Sequence, residues 1–389
     1  MSTKKYKVVF LSNFLNHHQL PFCNELCKLT DNSFLFIATT PVPNERRQMG
    51  YHDMNSSYDF VLKAYESKED EEKAKKYTLS ADVVILGNAK FSFAKKRLAK
   101  KRITFRATER PFKIEPKWYK IPYLKARSFF ANKTHKNFYL LCSGAYVSSD
   151  YRRLGSFKNK AYKWGYFPEV KEYENIDGLI ANKKPNSILW AGRMIDWKHP
   201  EYPVEIAKRL RDDGYDFEMN IIGTGPMETI CSYEIAKLDL QDKVHVLGSM
   251  SPEKVREYME SSQIYLFTSD RQEGWGAVLN ESMNSGCAVI ANENIGAVPY
   301  LINDGENGLI YHNDSIDELY QKTKELLDDN LGKAKKLGKN AYGTMINTWN
   351  AKTAAERFLN LAEELKNNKK CTLYENGPCS VAEVPKGKK

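Results

Sequence analysis

The sequence predicts an α/β protein built from two doubly wound, parallel-sheet domains, on three observations. The chain has 389 residues, 42% hydrophobic and 28% charged, which is too long for one compact core and too apolar for disorder. Short apolar runs alternate in both halves with stretches whose apolar residues recur every three or four positions, as strands alternate with helices around parallel sheets. A polar, aperiodic segment at residues 167–178 coincides with a reversal of charge. Residues 1–170 hold 32 Lys+Arg and 15 Asp+Glu, whereas the remainder is net acidic within an overall charge of +10. The domain boundary is therefore placed in that segment.

In the first domain the apolar runs predict strands at 6–11, 33–38, 82–86, 103–106 and 138–142, with the charged stretch 63–77 as helix or loop. In the second they predict strands at 187–190, 218–222, 244–247, 264–268, 288–291 and 308–311. Helical spacing of apolar residues appears at 203–211, 252–261, 316–327 and 351–365. The resulting division is 1–168, a linker 169–184, a second domain 185–348, a helix 349–366 returning to the first domain, and a polar tail 367–389 expected to be disordered. Two such domains place a ligand in a cleft at the carboxyl ends of their strands.

Several classes are disfavoured. No apolar stretch reaches the roughly 18–20 residues needed to span a bilayer. The N-terminus, Met1-Ser-Thr-Lys-Lys-Tyr-Lys7, runs into a strand without the pattern of a signal peptide. The seven cysteines (Cys23, Cys27, Cys142, Cys231, Cys287, Cys371 and Cys379) are scattered and include no C-x-x-C pair. Cys23 and Cys27, four apart, read as a buried helix face. A reducing cytoplasmic location follows.

Residues 90–136 carry 16 basic residues and two acidic ones, Glu109 and Glu115, interleaved with aromatics from Phe91 to Phe130. Three readings stand: attachment to an anionic membrane surface as a peripheral protein, binding to nucleic acid, or a solvated basic face over a core containing the aromatics. The acidic second half disfavours nucleic acid.

The chemistry-bearing segment is Ser269-Asp-Arg-Gln-Glu-Gly-Trp-Gly-Ala-Val-Leu-Asn-Glu281, between a strand and a helical pattern. Gly274 and Gly276 permit a tight turn that presents N–H groups at a helix start, a place suited to anionic oxygens. Glu281, in the second helical turn, suits a vicinal diol such as a ribose, and Glu273 faces a group beyond the phosphates. Taken singly, each glutamate is as readily a surface carboxylate. Trp190-Ala-Gly-Arg-Met-Ile-Asp-Trp-Lys-His199 brings Arg193 and Lys198 from one loop, two cations able to neutralise a diphosphate. Ile222-Gly-Thr-Gly-Pro-Met-Glu228 supplies Gly223 and Gly225 but has Glu228 where a dinucleotide fingerprint has its third glycine, which disfavours a dehydrogenase. Val246-Leu-Gly-Ser-Met-Ser-Pro-Glu-Lys-Val255 offers Ser249 and Met250 in a loop where a base is readable.

This series of motifs, over residues 187–312, resembles the retaining, nucleotide-sugar-dependent glycosyltransferases of family 4. The resemblance implies a GT-B architecture of two Rossmann-like domains, with the nucleotide-sugar donor on the second, a saccharide or lipid-linked acceptor on the first, no catalytic metal and no cofactor. It assigns Arg193 and Lys198 to the leaving diphosphate and Glu281 to the ribose. Glu273 and the backbone of Gly274, Trp275, Gly276 and Ala277 fall to the transferred sugar, with Ser249 and Met250 at the base. The first domain departs from the family's pattern, since Leu11-Ser-Asn-Phe-Leu-Asn-His-His-Gln19 replaces a glycine-rich loop. His17, Glu109 and Arg110 are candidate cleft residues there. The expected function is transfer of a sugar, from a UDP-sugar in preference, in cell-surface polysaccharide assembly. The alternatives are a nucleotide-sugar epimerase or hydrolase and an inactive nucleotide-sugar-binding scaffold.

Overall fold

A computed structural model describes residues 6–44, 52–133, 135–328, 332–367 and 373–383. The chain forms two units, Met1–Glu169 with Asn350–Lys389, and Val170–Trp349.

The sheet of the first unit contains β1 (Val8–Ser12), β2 (Phe34–Ala38), β3 (Val61–Lys63), β4 (Val83–Leu86), β5 (Thr104–Thr108), β6 (Phe138–Ser143) and β7 (Ala161–Trp164). The order is β3-β2-β1-β4-β5-β6-β7, and every pairing is parallel. The sheet of the second unit contains β8 (Lys184–Ala191), β9 (Glu218–Ile222), β10 (Val244–Val246), β11 (Ser262–Phe267), β12 (Ala288–Asn292) and β13 (Leu309–Tyr311). Its order, β10-β9-β8-β11-β12-β13, is also wholly parallel. Both follow the doubly wound 3-2-1-4-5-6 order, which reverses direction beside the first strand of each sheet. Central strands such as β1, β2, β4 and β11 are buried along their whole length. Helices covering both faces require continuous apolar runs in such strands, which is why these were visible as blocks rather than alternations.

The eleven predicted strands are present, and the sequence reading lacked β3 and β7. β3 is three half-buried residues at a sheet edge, and β7 mixes Tyr162 and Trp164 with a lysine, so neither forms an apolar block. The helix Ala351–Lys366 packs on the helix Leu20–Leu29. Its Phe358 lies among the rings of Phe22, Phe105 and Trp164, with centroids 6.2, 5.1 and 6.0 Å away. This is the return helix expected from the resemblance.

The expectation of a disordered tail is corrected for its described residues, 373–383. In the polar tail, Val381 bridges antiparallel to Tyr162 of β7. The Lys163 N–H donates to Ser380 O at 2.7 Å, and the Cys379 N–H to Lys163 O at 2.8 Å. Unpaired backbone groups along the β7 edge give this polar segment its partners. Cys371 lies outside the described residues. The linker 169–184 contains the helix Ile176–Ala181, capped by the Asn175 side chain accepting from Gly178 N. Lys183 there is buried and donates to the carbonyls of Met259, Glu260 and Ser262 at 2.6, 3.1 and 2.9 Å, a cation at the C-terminus of the helix Pro252–Ser261.

The basic stretch 90–136 is also divided by the structure. Phe93, Phe105 and Phe112 belong to the core, and Arg97 is fully buried. The Arg97 guanidinium donates to the carbonyls of Thr78, Ala81, Asp82 and Ile103 and to Thr104 Oγ1. Burial lowers its pKa to about 9, and its charge is spent inside the fold rather than on a surface. Exposed rings begin only at Trp118.

Candidate functional site

The motifs of the second unit meet at the carboxyl ends of β8 to β11. The loops after β8, β9 and β10 are joined backbone to backbone. Gly192 N–H donates to Ile222 O at 2.9 Å, Met194 N–H to Thr224 O at 2.9 Å, and Gly223 N–H to Gly248 O at 2.8 Å. A Cβ on Gly223, at φ +143°, would stand 1.8 Å from Gly192 O, and one on Gly225, at φ +154°, would stand 2.4 Å from Met194 O. The two glycines therefore hold the β8 loop in place by close approach, which alone accounts for their presence.

That loop presents Lys198. Its ammonium forms an ion pair with Glu273 Oε2, both side chains being only about one-seventh exposed (13 and 14%), and Ser269 Oγ lies 3.3 Å from the same carboxylate oxygen. Thr268, fully buried at the end of β11, ties the loops from below. Its hydroxyl accepts from Trp190 Nε1 at 2.8 Å and donates to Lys198 O at 2.7 Å, while Asp270 N–H donates to Trp197 O at 2.9 Å. Arg193, on the same β8 loop, is exposed and has no side-chain partner among the described residues.

The turn into the helix Ala277–Asn284 needs glycine at its N-cap. Gly276 has φ +90°, and a Cβ there would meet the Phe267 ring at 2.4 Å. No side chain caps this helix, so its first N–H groups remain available to an anion. The Trp275 side chain is fully buried, its indole N–H donating to Asn280 Oδ1 at 2.9 Å beside the ring of Trp349. Only its backbone can meet a ligand. Gly274 is buried and Ala277 partly so. Glu281 is partly buried on this helix; burial pushes its carboxyl up to about 7, with Arg256 pulling part of the way back. Ser249 is exposed and Met250 partly so, just after Gly248. Among the described residues no group of three or more His, Cys, Asp or Glu side chains is placed to hold a metal ion.

Sequence reasoning passed over Thr268, Arg256 and His199. His199 follows Lys198 in a left-handed conformation, stacks on Tyr202 with ring centroids 4.5 Å apart, and lies 2.9 Å from Glu201 Oε1. Burial opposes its charge, but Glu201, Asp270 and Asp314 hold its pKa above the usual value. For Thr268 the available signal was position alone, a polar residue directly after an apolar strand; Arg256, inside the helix Pro252–Ser261, and His199 carried none.

In the first unit, the candidate residues have separate fates. His17 and His18 pack ring to ring at 3.7 Å, and His18 stacks on Tyr166 at 5.7 Å. The Tyr166 hydroxyl donates to Glu109 Oε1, whose other oxygen pairs with Lys113 at 2.6 Å. Arg110 is instead consumed structurally. It is paired with Asp150 at 3.2 Å through both Nε and Nη2, the two side chains 8 and 2% exposed, and Asp150 also accepts from Phe112 N. It serves the loop, not an open surface.

Residues 172–344 match the family described as "Glycosyl transferases group 1". This part of the chain is similar to the group 1 glycosyl transferases. The amylovoran biosynthesis glycosyltransferase AmsK of Erwinia amylovora is 31% identical over 38% of this chain and 36% of its own length. An N-acetylgalactosaminyltransferase of Campylobacter jejuni, acting on a diphospho-undecaprenol-linked saccharide by its name, is 32% identical over 39% and 40%. The chain spans less than half the length of these curated relatives. Among solved structures, Anabaena Alr3699/HepE in complex with UDP aligns over 93% of this chain and 100% of its own, with TM-score 0.68 at 15% identity. The lipopolysaccharide outer core galactosyltransferase WaaB aligns over 92% and 99%, with TM-score 0.65 at 16% identity. These likenesses show the fold: GT-B, two Rossmann-like domains.

Proposed function

We propose that the protein is a retaining glycosyltransferase. It moves a sugar from a nucleoside-diphosphate sugar, a UDP-sugar in preference, onto a saccharide or lipid-linked saccharide in the cytoplasmic stage of cell-surface polysaccharide assembly. The observation that carries this reading is the Lys198–Glu273 pair, which joins two motif loops beside the uncapped helix Ala277–Asn284. The biosynthetic names of the relatives and the UDP bound to the Anabaena structure support it.

In this reading the diphosphate lies against the first N–H groups of that helix. Arg193, which has no competing side-chain partner among the described residues, and Lys198 bear its charge as the bond between the sugar's C1 and the phosphate oxygen breaks. The acceptor oxygen bonds C1 on the same face, and its proton passes to the departing phosphate oxygen. Glu273 orients the sugar hydroxyls and holds Lys198 ready, so no divalent ion is needed for charge neutralisation. Glu281 binds the ribose diol, and the Ser249–Met250 loop meets the base.

The test is thermal shift with UDP-, GDP- and ADP-sugars, followed by product analysis with saccharide acceptors in the presence of EDTA. A raised melting temperature with one UDP-sugar, and transfer with retained anomeric configuration, is expected. Sugar release to water alone would identify a hydrolase, and binding without turnover would identify a scaffold.

A further inference from the structure

Residues 113–130 present a surface unlike the rest of the first unit. Ile114, Trp118, Tyr119, Tyr123, Phe129 and Phe130 are 75, 84, 55, 68, 43 and 73% exposed, more than half of the exposed large hydrophobic side chains among the described residues. They lie on a short 3₁₀ turn, Trp118–Lys120, the helix Ile121–Ser128 and the turn Phe129–Lys133 that follows it. The opposite face of this helix is fixed. Ile121 and Leu124 pack against the core of the unit, and Ser128 is buried with its hydroxyl 2.8 Å from that of Ser156. Positions 121, 124 and 128 share one helical face, so the helix cannot roll to bury its rings within its own unit.

Cations stand among the rings. Lys117, Lys120, Lys125 and Arg127 are exposed and have no side-chain partner among the described residues. The single carboxylate of the stretch, Glu115, is neutralised by Arg153. A water-facing helix ordinarily keeps its apolar residues on the inner face. Here the outer face combines indole, phenol and phenyl rings with unpaired positive charge, which suits the boundary between acidic head groups and acyl chains. Ile114 and Pro122 beside the rings favour lipid over a base-stacking surface.

We propose that residues 113–130 dock the protein on an anionic lipid bilayer, with the helix Ile121–Ser128 lying in the head-group layer. The proposal does not rest on sugar transfer; it narrows the basic stretch 90–136 to the part whose charge and rings face outward. Lipid docking would bring a lipid-linked acceptor to the first unit.

The experiment is co-sedimentation of the full chain with vesicles of phosphatidylglycerol and phosphatidylcholine, against phosphatidylcholine alone, at low and high salt. Binding to the anionic vesicles, weakened by salt, is expected. The triple variant K117Q/K120Q/K125Q should bind about fivefold more weakly for each cation removed, on the order of 100-fold in all. W118S/Y123S/F130S should lose the salt-resistant part. On the anionic vesicles the tryptophan emission should shift to the blue, and the shift should shrink in Trp118→Phe. Melting temperature and its rise with a UDP-sugar serve as the folding and donor controls, so a failed vesicle arm is separable from a failed donor site. Equal vesicle binding by wild type and both triple variants, or binding to a single-stranded RNA probe without binding to vesicles, overturns the proposal.

Discussion

In the second unit the loops that follow β8, β9 and β10 lie backbone against backbone, with Gly223 and Gly225 under the carbonyls of Gly192 and Met194. In the first unit the loops after β1 and β7 share the backbone bond from Phe167 N–H to His18 O at 3.2 Å, but the other contacts described are between side chains: His18 on Tyr166, Tyr166 on Glu109, and Arg110 on Asp150 of the helix after β6. The first six strands of the first sheet take the same order as the six of the second. A surface that offers N–H groups to phosphate oxygens must bring main chains within contact distance, and only glycine at set intervals allows that. A surface made of side chains tolerates many sequences, provided each polar tip finds a partner. Topology is shared; the material of the site is not.

The sharpest attack on this contrast is Gly223→Ala. A methyl group 1.8 Å from Gly192 O, at φ +143°, should cost about 4 kcal/mol or prevent folding of the second unit. Gly155→Ala in the first unit, with nothing within 4 Å at φ +70°, should cost about 1 kcal/mol of left-handed strain. Comparable losses in urea melts would dissolve the distinction.

Next in size is Lys198→Ala. Leaving Glu273 unpaired and the leaving group short of one cation, it should lower turnover with a UDP-sugar about 10²–10³-fold while the fold persists by circular dichroism. Asp150→Ala probes the other unit: stranding the buried Arg110 guanidinium should cost about 3 kcal/mol in urea melts. UDP-sugar affinity at equal folded fraction should stay unchanged, because the damage is confined to a side-chain-built loop.

Glu281→Gln gives a smaller, pH-dependent effect. The folded carboxyl holds its proton to about pH 7, whereas the unfolded chain releases it near its ordinary value, so folding takes up a proton in between. Stability from this group is therefore lost as pH rises from the ordinary carboxylate range through about 7. The glutamine variant, which cannot ionise, should gain melting temperature relative to wild type from pH 5 to pH 8, and a constant difference would refute the shift. The smallest effect is expected from Glu109→Gln: a several-fold change in acceptor KM, with donor affinity untouched.

What was legible in the sequence follows the same division. Eleven strands announced themselves as apolar blocks because parallel sheets bury both faces, and β3 and β7, short or mixed, did not. In the second unit the close loop packing and the turn into the helix Ala277–Asn284 were readable in advance, because the Gly-x-Gly and Glu-Gly-Trp-Gly spacings are geometric requirements. In the first unit, the partnership of Arg110 with Asp150 spans forty positions and leaves no local trace. Arg97 was indistinguishable from its basic neighbours until the carbonyls around it were placed. Thr268 ties two loops through one hydroxyl, a duty no spacing rule announces.

The helix Ala351–Lys366 sets Phe358 into the aromatic core of a unit that otherwise ends at Glu169. On the ribosome, the N-terminal portion must therefore wait, its hydrophobic centre incomplete, while some 180 intervening residues are translated. Those residues form a contiguous unit and can reach their native state first, so the earlier-made portion of the polypeptide is the later to mature. Truncation near residue 350 should accordingly yield one well-behaved half and one that calls on chaperones.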